Sequence, residues 1–172
     1  MSDTPAPPAE NTAKSALTEA VAALQSNDAI RAEEALNRML ANDPANADAL
    51  QLLGMLRRSQ GRLDEAEDLY RRSLASNPAQ PQVHHNLGNL LRATGRPQEA
   101  LTPLREAVRL KPNYAEAHLA LDLAQHDLKL RAEAEKSYRE ALRFQPNFLI
   151  AKQSLGGLLN DMGRPKEGEA VL

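Results

Sequence analysis

Apolar and polar residues follow a helical pattern along the chain. Between residues 47 and 80, apolar side chains recur at intervals of three and four positions, which places them on one face of an α-helix. They fall into two short runs on either side of Gly61, so this stretch predicts two short amphipathic helices. The residues concerned are Leu50, Leu53, Leu56, Leu63, Ala66, Leu69, Tyr70 and Leu74.

Four prolines show that the pattern repeats. Pro44, Pro78, Pro112 and Pro146 are separated by 34 residues each time, which chance does not explain. Aligned on them, the chain divides into complete repeats at 13–46, 47–80, 81–114 and 115–148 and a partial repeat at 149–172. We therefore expect one repeat domain over residues 12–172. The preceding segment, 1–11, holds three prolines and few large apolar groups, and is predicted to be flexible.

Small residues recur where the two helices of a repeat are expected to approach closely. Gly54 and Ala66 leave room between the helix axes, and Tyr70 fills the space beside them. Gly61 falls where the first helix ends and a positive backbone φ is useful. Gly95 and Gly163 occupy the equivalent place in two later repeats. These residues are therefore predicted to serve packing, and binding specificity is expected at other positions.

The order Leu50, Leu53, Gly54, Ala66, Tyr70 and Pro78 resembles the signature of the tetratricopeptide repeat (TPR) family. The resemblance implies an all-α fold, a right-handed α-solenoid of antiparallel helix pairs in which each repeat buries its apolar side against its neighbours. It also implies a concave groove lined mainly by the first helices. Members of the family commonly bind an extended peptide or a partner helix in that groove.

Two repeats depart from the family signature. The first carries Glu19 and Ala20 where leucine and glycine are usual, which is typical of a capping repeat with a more polar outer face. The fourth carries Asp122 in place of glycine, and Lys129 in place of the turn glycine. We therefore expect an altered angle between the two helices of the fourth repeat.

The resemblance also implies which positions of each first helix face the groove, and here these positions are rich in polar side chains. Amides suit a peptide backbone because each carries donors and acceptors. The alternative, that these are ordinary solvated residues, has equal weight for most of them. Asn86 and Asn89 are stronger candidates because asparagine is a mediocre helix former. The predicted groove residues are Gln51, Met55, Arg58, Gln82, His85, Asn86, Asn89, Arg92, Gln153 and Asn160.

One groove position is basic in consecutive repeats. It holds Arg58 in the second repeat, Arg92 in the third and His126 in the fourth. Such a column suits carboxylate groups on a partner. A solvated helix face, on which long arginines cover apolar surface, explains it equally well.

Composition narrows the classes of partner. The formal net charge of −2 provides no cationic field that would attract phosphates or anionic lipids. Aromatic residues, at 3%, are too few to stack on nucleic-acid bases. We therefore expect no nucleic acid and no membrane partner. No apolar run is long enough to span a bilayer and no secretion signal is evident, which predicts a cytoplasmic protein. The absence of cysteine excludes disulfides and thiolate chemistry.

No motif predicts catalysis, a cofactor or a metal site. His84 and His118 occupy equivalent packing positions one repeat apart, which stacked helices hold too far apart to share one ion. We therefore expect both histidines to have structural roles. No phosphate-binding glycine loop and no serine-nucleophile motif occurs, so we predict that the chain is not an enzyme and needs no cofactor.

Two functions remain open at this point. The first is a non-catalytic protein-interaction scaffold that binds a peptide or partner segment in the groove. The alternative is the substrate-recruiting arm of a larger bacterial-type enzyme, of the glycosyltransferase, sulfotransferase or oxygenase type, with its catalytic domain beyond Leu172. The last repeat stops within its second helix and leaves an apolar face uncovered. We therefore expect either a longer protein or self-association through this end.

Overall fold

The computed structural model describes residues 9–171, and their side chains from residue 15 onward. All regular secondary structure in this range is α-helical, so the prediction of an all-α fold built from helix pairs is confirmed. The chain divides into two compact units, Met1–Pro78 and Ala79–Leu172. The predicted flexible segment falls mostly on residues 1–8, outside the described residues, and the first helix begins at Ala9.

Each unit is a series of helices joined by short turns. In the first unit the helices are α1 (Ala9–Gln25), α2 (Ala29–Asn42), α3 (Ala47–Ser59) and α4 (Leu63–Ser76). In the second unit they are α5 (Pro81–Ala93), α6 (Pro97–Leu110), α7 (Ala115–Asp127), α8 (Arg131–Phe144), α9 (Leu149–Asp161) and α10 (Pro165–Val171).

The helices begin at residues suited to a helix start. The Asn46 side chain accepts a hydrogen bond of 3.0 Å from the backbone N–H of Ala49 at the start of α3, and the Asp28 carboxylate accepts one of 3.1 Å from the N–H of Arg31 at the start of α2. Both bonds satisfy a backbone donor that the helix itself leaves without a partner. Pro81 and Pro97 open α5 and α6, where the missing N–H of proline costs no helical hydrogen bond.

The turn inside each helix pair uses one residue with a positive φ. The predicted glycine turns are confirmed, with φ of 75° at Gly61, 77° at Gly95 and 74° at Gly163. Lys129 adopts the same conformation with φ of 61°. The backbone N–H after it, of Leu130, still donates to the Gln125 carbonyl at 2.8 Å, as in the glycine turns. The fourth pair therefore keeps the turn without its glycine.

Close helix packing explains the small residues of each pair. A Cβ atom added at Gly54 would lie 2.7 Å from Cε1 of Tyr70, so only glycine fits against that ring. In α5, a Cβ on Gly88 would collide with the side chain of Leu104. The predicted packing role of Gly54 is confirmed.

Ion pairs join consecutive repeats within each unit. The buried guanidinium of Arg57 in α3 donates to the two carboxylate oxygens of Glu33 in α2, at 2.8 and 2.5 Å. In the second unit Arg164, just before α10, donates at 2.8 Å to Glu135 in α8. Each pair satisfies a largely buried charge beside a core of leucines and alanines.

Candidate binding surface

Three of the predicted groove residues lie on α3 of the first unit. Gln51 is half-buried, whereas Arg58 and Met55 are exposed. Met55 is the neighbour of Gly54, which packs against Tyr70, so α3 turns its glycine inward and its methionine outward. A flexible, exposed thioether of this kind is an adaptable contact for an apolar ligand group.

The other predicted groove residues lie in the second unit. On α5, His85, Asn86, Asn89 and Arg92 are half-buried, whereas Gln82 at the start of the helix is exposed. On α9, Gln153 and Asn160 are exposed. The Oδ1 atom of Asn160 lies 2.8 Å from the place that a Cβ on Gly168 would occupy, so the Asn160 side chain reaches over α10 of its own helix pair.

A polar cluster is centred on His85. Its Nε2 atom lies 2.9 Å from the amide nitrogen of Asn89, one turn further along α5, and its Nδ1 atom lies 3.2 Å from the hydroxyl oxygen of Tyr114. If the amide donates to Nε2, the imidazole proton sits on Nδ1 and is donated to the Tyr114 oxygen. The hydroxyl proton of Tyr114 is then available to an acceptor on a ligand.

Aromatic and cationic contacts extend this cluster. The rings of His85 and Tyr114 have centroids 5.1 Å apart, and the ammonium nitrogen of Lys111 lies 4.7 Å from the centre of the Tyr114 ring. Burial, and secondarily the charge of Glu116, raises the pKa of Tyr114, so the phenol remains protonated at neutral pH. The Tyr114 hydroxyl therefore keeps its proton and can donate a hydrogen bond.

Tyr114 and Lys111 are absent from the residues predicted from the sequence. Both lie in the loop between α6 and α7, whereas the prediction considered only the first helices. The last position of the repeat holds Tyr114 here, Phe148 in the fourth repeat, and Asn46 and Gln80 in the first two, so the sequence signal for Tyr114 is weak.

Arg92 contacts a carboxylate of its own chain. Its Nε atom donates to the Asp127 carboxylate at 2.8 Å, and the two side chains are 31% and 40% exposed. The pair joins the end of α5 to the end of α7. A partner carboxylate would therefore compete with Asp127 for this guanidinium, which weakens the hypothesis that Arg92 belongs to an open basic column.

Asp122 is the most unusual ionisable group in the second unit. It replaces the close-packed glycine of the signature, it is fully buried, and neither of its oxygens forms a well-oriented hydrogen bond with a described residue. Burial raises its pKa to about 8, while the nearby Tyr138 hydroxyl and Arg92 lower it and Asp127 raises it. A carboxyl group sealed from solvent cannot meet a substrate, so Asp122 is a structural feature.

The two histidines at the packing positions have structural contacts. Nε2 of His118 lies 2.9 Å from the Pro112 carbonyl oxygen, and the His118 ring stacks on Phe144 with centroids 5.6 Å apart. His84 is half-buried.

Within residues 9–171, no group of three or more histidine or acidic side chains is arranged to hold a metal ion. None of the described helices combines the length and apolarity needed to cross a bilayer.

Three family models match this chain. A model described as a tetratricopeptide repeat matches residues 17–81, a TPR repeat model matches residues 88–129, and a further tetratricopeptide repeat model matches residues 69–102. Together the three models extend over residues 17–129. Among curated proteins no sequence matches this chain.

Solved structures of several repeat proteins share the fold. MamA superposes with a TM-score of 0.83 at 22% identity, over 94% of this chain and 88% of the MamA chain. YrrB, described as a TPR protein with an unusual peptide-binding site, superposes with a TM-score of 0.79 at 20% identity, over 91% of this chain and 80% of its own. At such identities the likeness shows the fold alone.

A third solved structure is more similar in sequence but much longer. An O-GlcNAc transferase variant from Thermobaculum terrenum is 33% identical, with a TM-score of 0.73 over 81% of this chain. The match covers only 27% of the transferase chain. The likeness is therefore to one part of that enzyme.

Proposed function

Since the chain belongs to the tetratricopeptide repeat family, we propose that it is a non-catalytic, cytoplasmic scaffold that binds an extended peptide or partner segment on the polar face of its first helices. A repeat stack offers a long surface that collects affinity from many modest contacts. The proposal includes self-association as one form of partner binding, which light scattering across a concentration series measures. A monomer at every concentration would contradict that part.

One observation carries the proposal, namely the half-buried cluster of His85, Asn89 and Tyr114. Amide, imidazole and hydroxyl groups supply donors and acceptors side by side, which is what a peptide backbone requires. Their mutual contacts hold the side chains in place before a ligand arrives, so less side-chain entropy is lost on binding. The peptide-binding site named for YrrB supports the same class of ligand.

The test is quantitative capture of partner proteins by the intact chain and by the double variant Asn86→Ala, Asn89→Ala. We expect the variant to recover the specific partners at least about fivefold less well, because each removed amide takes away hydrogen bonds worth about 1 kcal/mol. The matched control is Gln98→Ala with Thr102→Ala, which truncates two exposed polar residues on the second helix α6. Equal recovery of every partner by all three proteins would show that the site is misplaced.

The likeness to the transferase supports a second candidate function. In that case the chain would be the substrate-recruiting arm of a larger enzyme, since a repeat region of similar sequence lies within the O-GlcNAc transferase chain. Reading the gene beyond the codon for Leu172 tests this directly. A catalytic domain in the same frame would support the second candidate, and a stop codon would eliminate it.

A further inference from the structure

Exposed apolar side chains lie on both sides of the turn between α8 and α9, at the end of α8 and the start of α9. Six large hydrophobic residues are exposed among the described residues, and three of them lie here: Phe144 is 36% exposed, Leu149 is 61% exposed and Ile150 is 54% exposed. We call these three residues the apolar edge. Single exposed apolar residues are ordinary, whereas a group of them indicates an interaction site.

Stacking of the repeats does not explain Leu149 and Ile150. They are the first two residues of α9, and the equivalent positions hold Ala47 and Asp48 in α3, Pro81 and Gln82 in α5, and Ala115 and Glu116 in α7. Each of those helices packs against the second helix of its own repeat with small or polar residues at these positions. The fifth repeat thus presents two large aliphatic side chains to solvent where its neighbours do not.

Arg143 and His118 border Phe144 of the apolar edge. The guanidinium of Arg143 lies 5.5 Å from the centre of the Phe144 ring, and the imidazole ring of His118 stacks on Phe144 with centroids 5.6 Å apart. His118 in turn contacts the carbonyl oxygen of Pro112, the residue after Lys111. The contacts therefore form a continuous path from the end of α8 to the loop before α7.

The charges in the loop before α7, at the start of α7 and in the first turn of α9 are not balanced by ion pairs. Arg143 pairs with Glu140 at 3.3 Å, whereas Lys111 and Lys152 form no ion pair with any described residue. Glu116 is the one carboxylate of the α7 start, and it too lacks an ion pair in the described part of the chain. Lys111 and Lys152 thus carry two positive charges without an ion pair, against the one negative charge of Glu116, in a chain whose formal net charge is −2.

We propose that the apolar edge docks a segment of a partner protein that carries one large aliphatic or aromatic side chain flanked by carboxylates. The large side chain would pack on Phe144, Leu149 and Ile150, and the carboxylates would reach Lys111 and Lys152. Apolar area supplies the attraction, and the opposite charges fix the orientation and disfavour basic segments. The inference rests on the proposed function, because it specifies the class of segment that the scaffold binds.

The absence of tryptophan from the chain makes a direct test possible. The probe is a short synthetic peptide, capped at both ends, in which one tryptophan and one leucine stand between glutamates and aspartates. Its tryptophan emission is followed while the intact protein is added. We expect saturable binding that is about tenfold tighter than that of the same peptide with lysines in place of the acidic residues. Equal binding of the two peptides, or no saturable binding, would overturn the inference.

Variants of the apolar edge show whether the acidic peptide binds there. Leu149→Ser with Ile150→Ser should weaken the acidic peptide about tenfold, and Lys111→Gln with Lys152→Gln should weaken it and reduce the dependence on salt. The controls are Ile30→Ser, at an exposed isoleucine of the first unit, and Lys136→Gln, at an exposed lysine of α8. Circular dichroism confirms that each variant is folded. Unchanged affinity in both edge variants would refute the docking site.

Partner capture separates this inference from the proposed function. Loss of partners with Asn86→Ala, Asn89→Ala but not with the leucine–isoleucine variant would refute the apolar edge and support the polar face. The reverse result would support the apolar edge and refute the polar face as the binding site. Full recovery by both variants would refute both.

Discussion

At the scale of single residues, Asp122 is the clearest link between sequence and stability. Its pKa is about 8 in the folded protein, whereas an aspartate in an unfolded chain titrates near 3.9. Between these pH values the folded protein holds a proton that the unfolded chain has released. The free energy of unfolding therefore falls as the pH rises through this window, by up to about 1.4 kcal/mol per pH unit.

We expect Asp122→Asn to be more stable than the natural protein by about 3 to 5 kcal/mol near pH 8, because a neutral amide needs no proton. Near pH 4 the two proteins should differ little. Urea unfolding across this pH range measures the effect, and Asp161→Asn, at an exposed carboxylate of α9, is the control. Parallel stability curves for Asp122→Asn and the natural protein would show that Asp122 is not the titrating group.

At the scale of elements, the turns inside the helix pairs show how much stability a positive backbone φ costs. Lys129 holds a left-handed φ of 61°, which costs a residue with a Cβ about 1 kcal/mol more than glycine. We expect Lys129→Gly to raise the free energy of unfolding by about 0.5 to 1 kcal/mol, since this gain exceeds the added flexibility of the unfolded chain. Thermal unfolding measures it.

The reciprocal change provides the control for that turn. A Cβ at Gly95 would meet nothing within 4 Å, so Gly95→Ala adds backbone strain without a steric clash. It should lower the free energy of unfolding by about 1 kcal/mol. If both substitutions were neutral, the positive φ would not be what the turn requires of its residue.

The junction between α2 and α3 depends on a buried charge. The Arg57 guanidinium holds the pKa of Glu33 below its ordinary value, mainly through their hydrogen bonds. We expect Glu33→Ala to lower the free energy of unfolding by about 1 to 2 kcal/mol, because it leaves the buried guanidinium with fewer acceptors. Glu34→Ala, at the exposed neighbouring residue, should have almost no effect. Equal effects of the two substitutions in urea unfolding would contradict the structural role of the pair.

At the scale of the whole molecule, stability and binding depend on different residues. Signature residues such as Gly54 and Tyr70 are buried between helices and have no surface left for a ligand. His85 and Asn89 contact each other but retain exposed surface, and Leu149 and Ile150 are mainly exposed. Substitutions of the second kind are therefore expected to change partner binding with little change in stability.

The sequence by itself determined the helix pairs, their period and the glycine turns. These features depend on contacts between residues a few positions apart, or on one pattern repeated every 34 residues, and both are visible in a linear string. It also identified the side chains of α5 that carry the polar cluster. Their binding role remains a prediction.

Only the tertiary structure decided which of these side chains have partners. Tyr114 joins His85 from a loop 29 residues away, Asp127 engages Arg92 from the next first helix, and Asp122 is sealed from solvent. The altered helix–helix angle expected in the fourth repeat stays a prediction, whereas the turn at Lys129 is kept, because the surrounding packing outweighs a local preference of about 1 kcal/mol. Such contacts join distant residues, and neither residue type nor spacing encodes them.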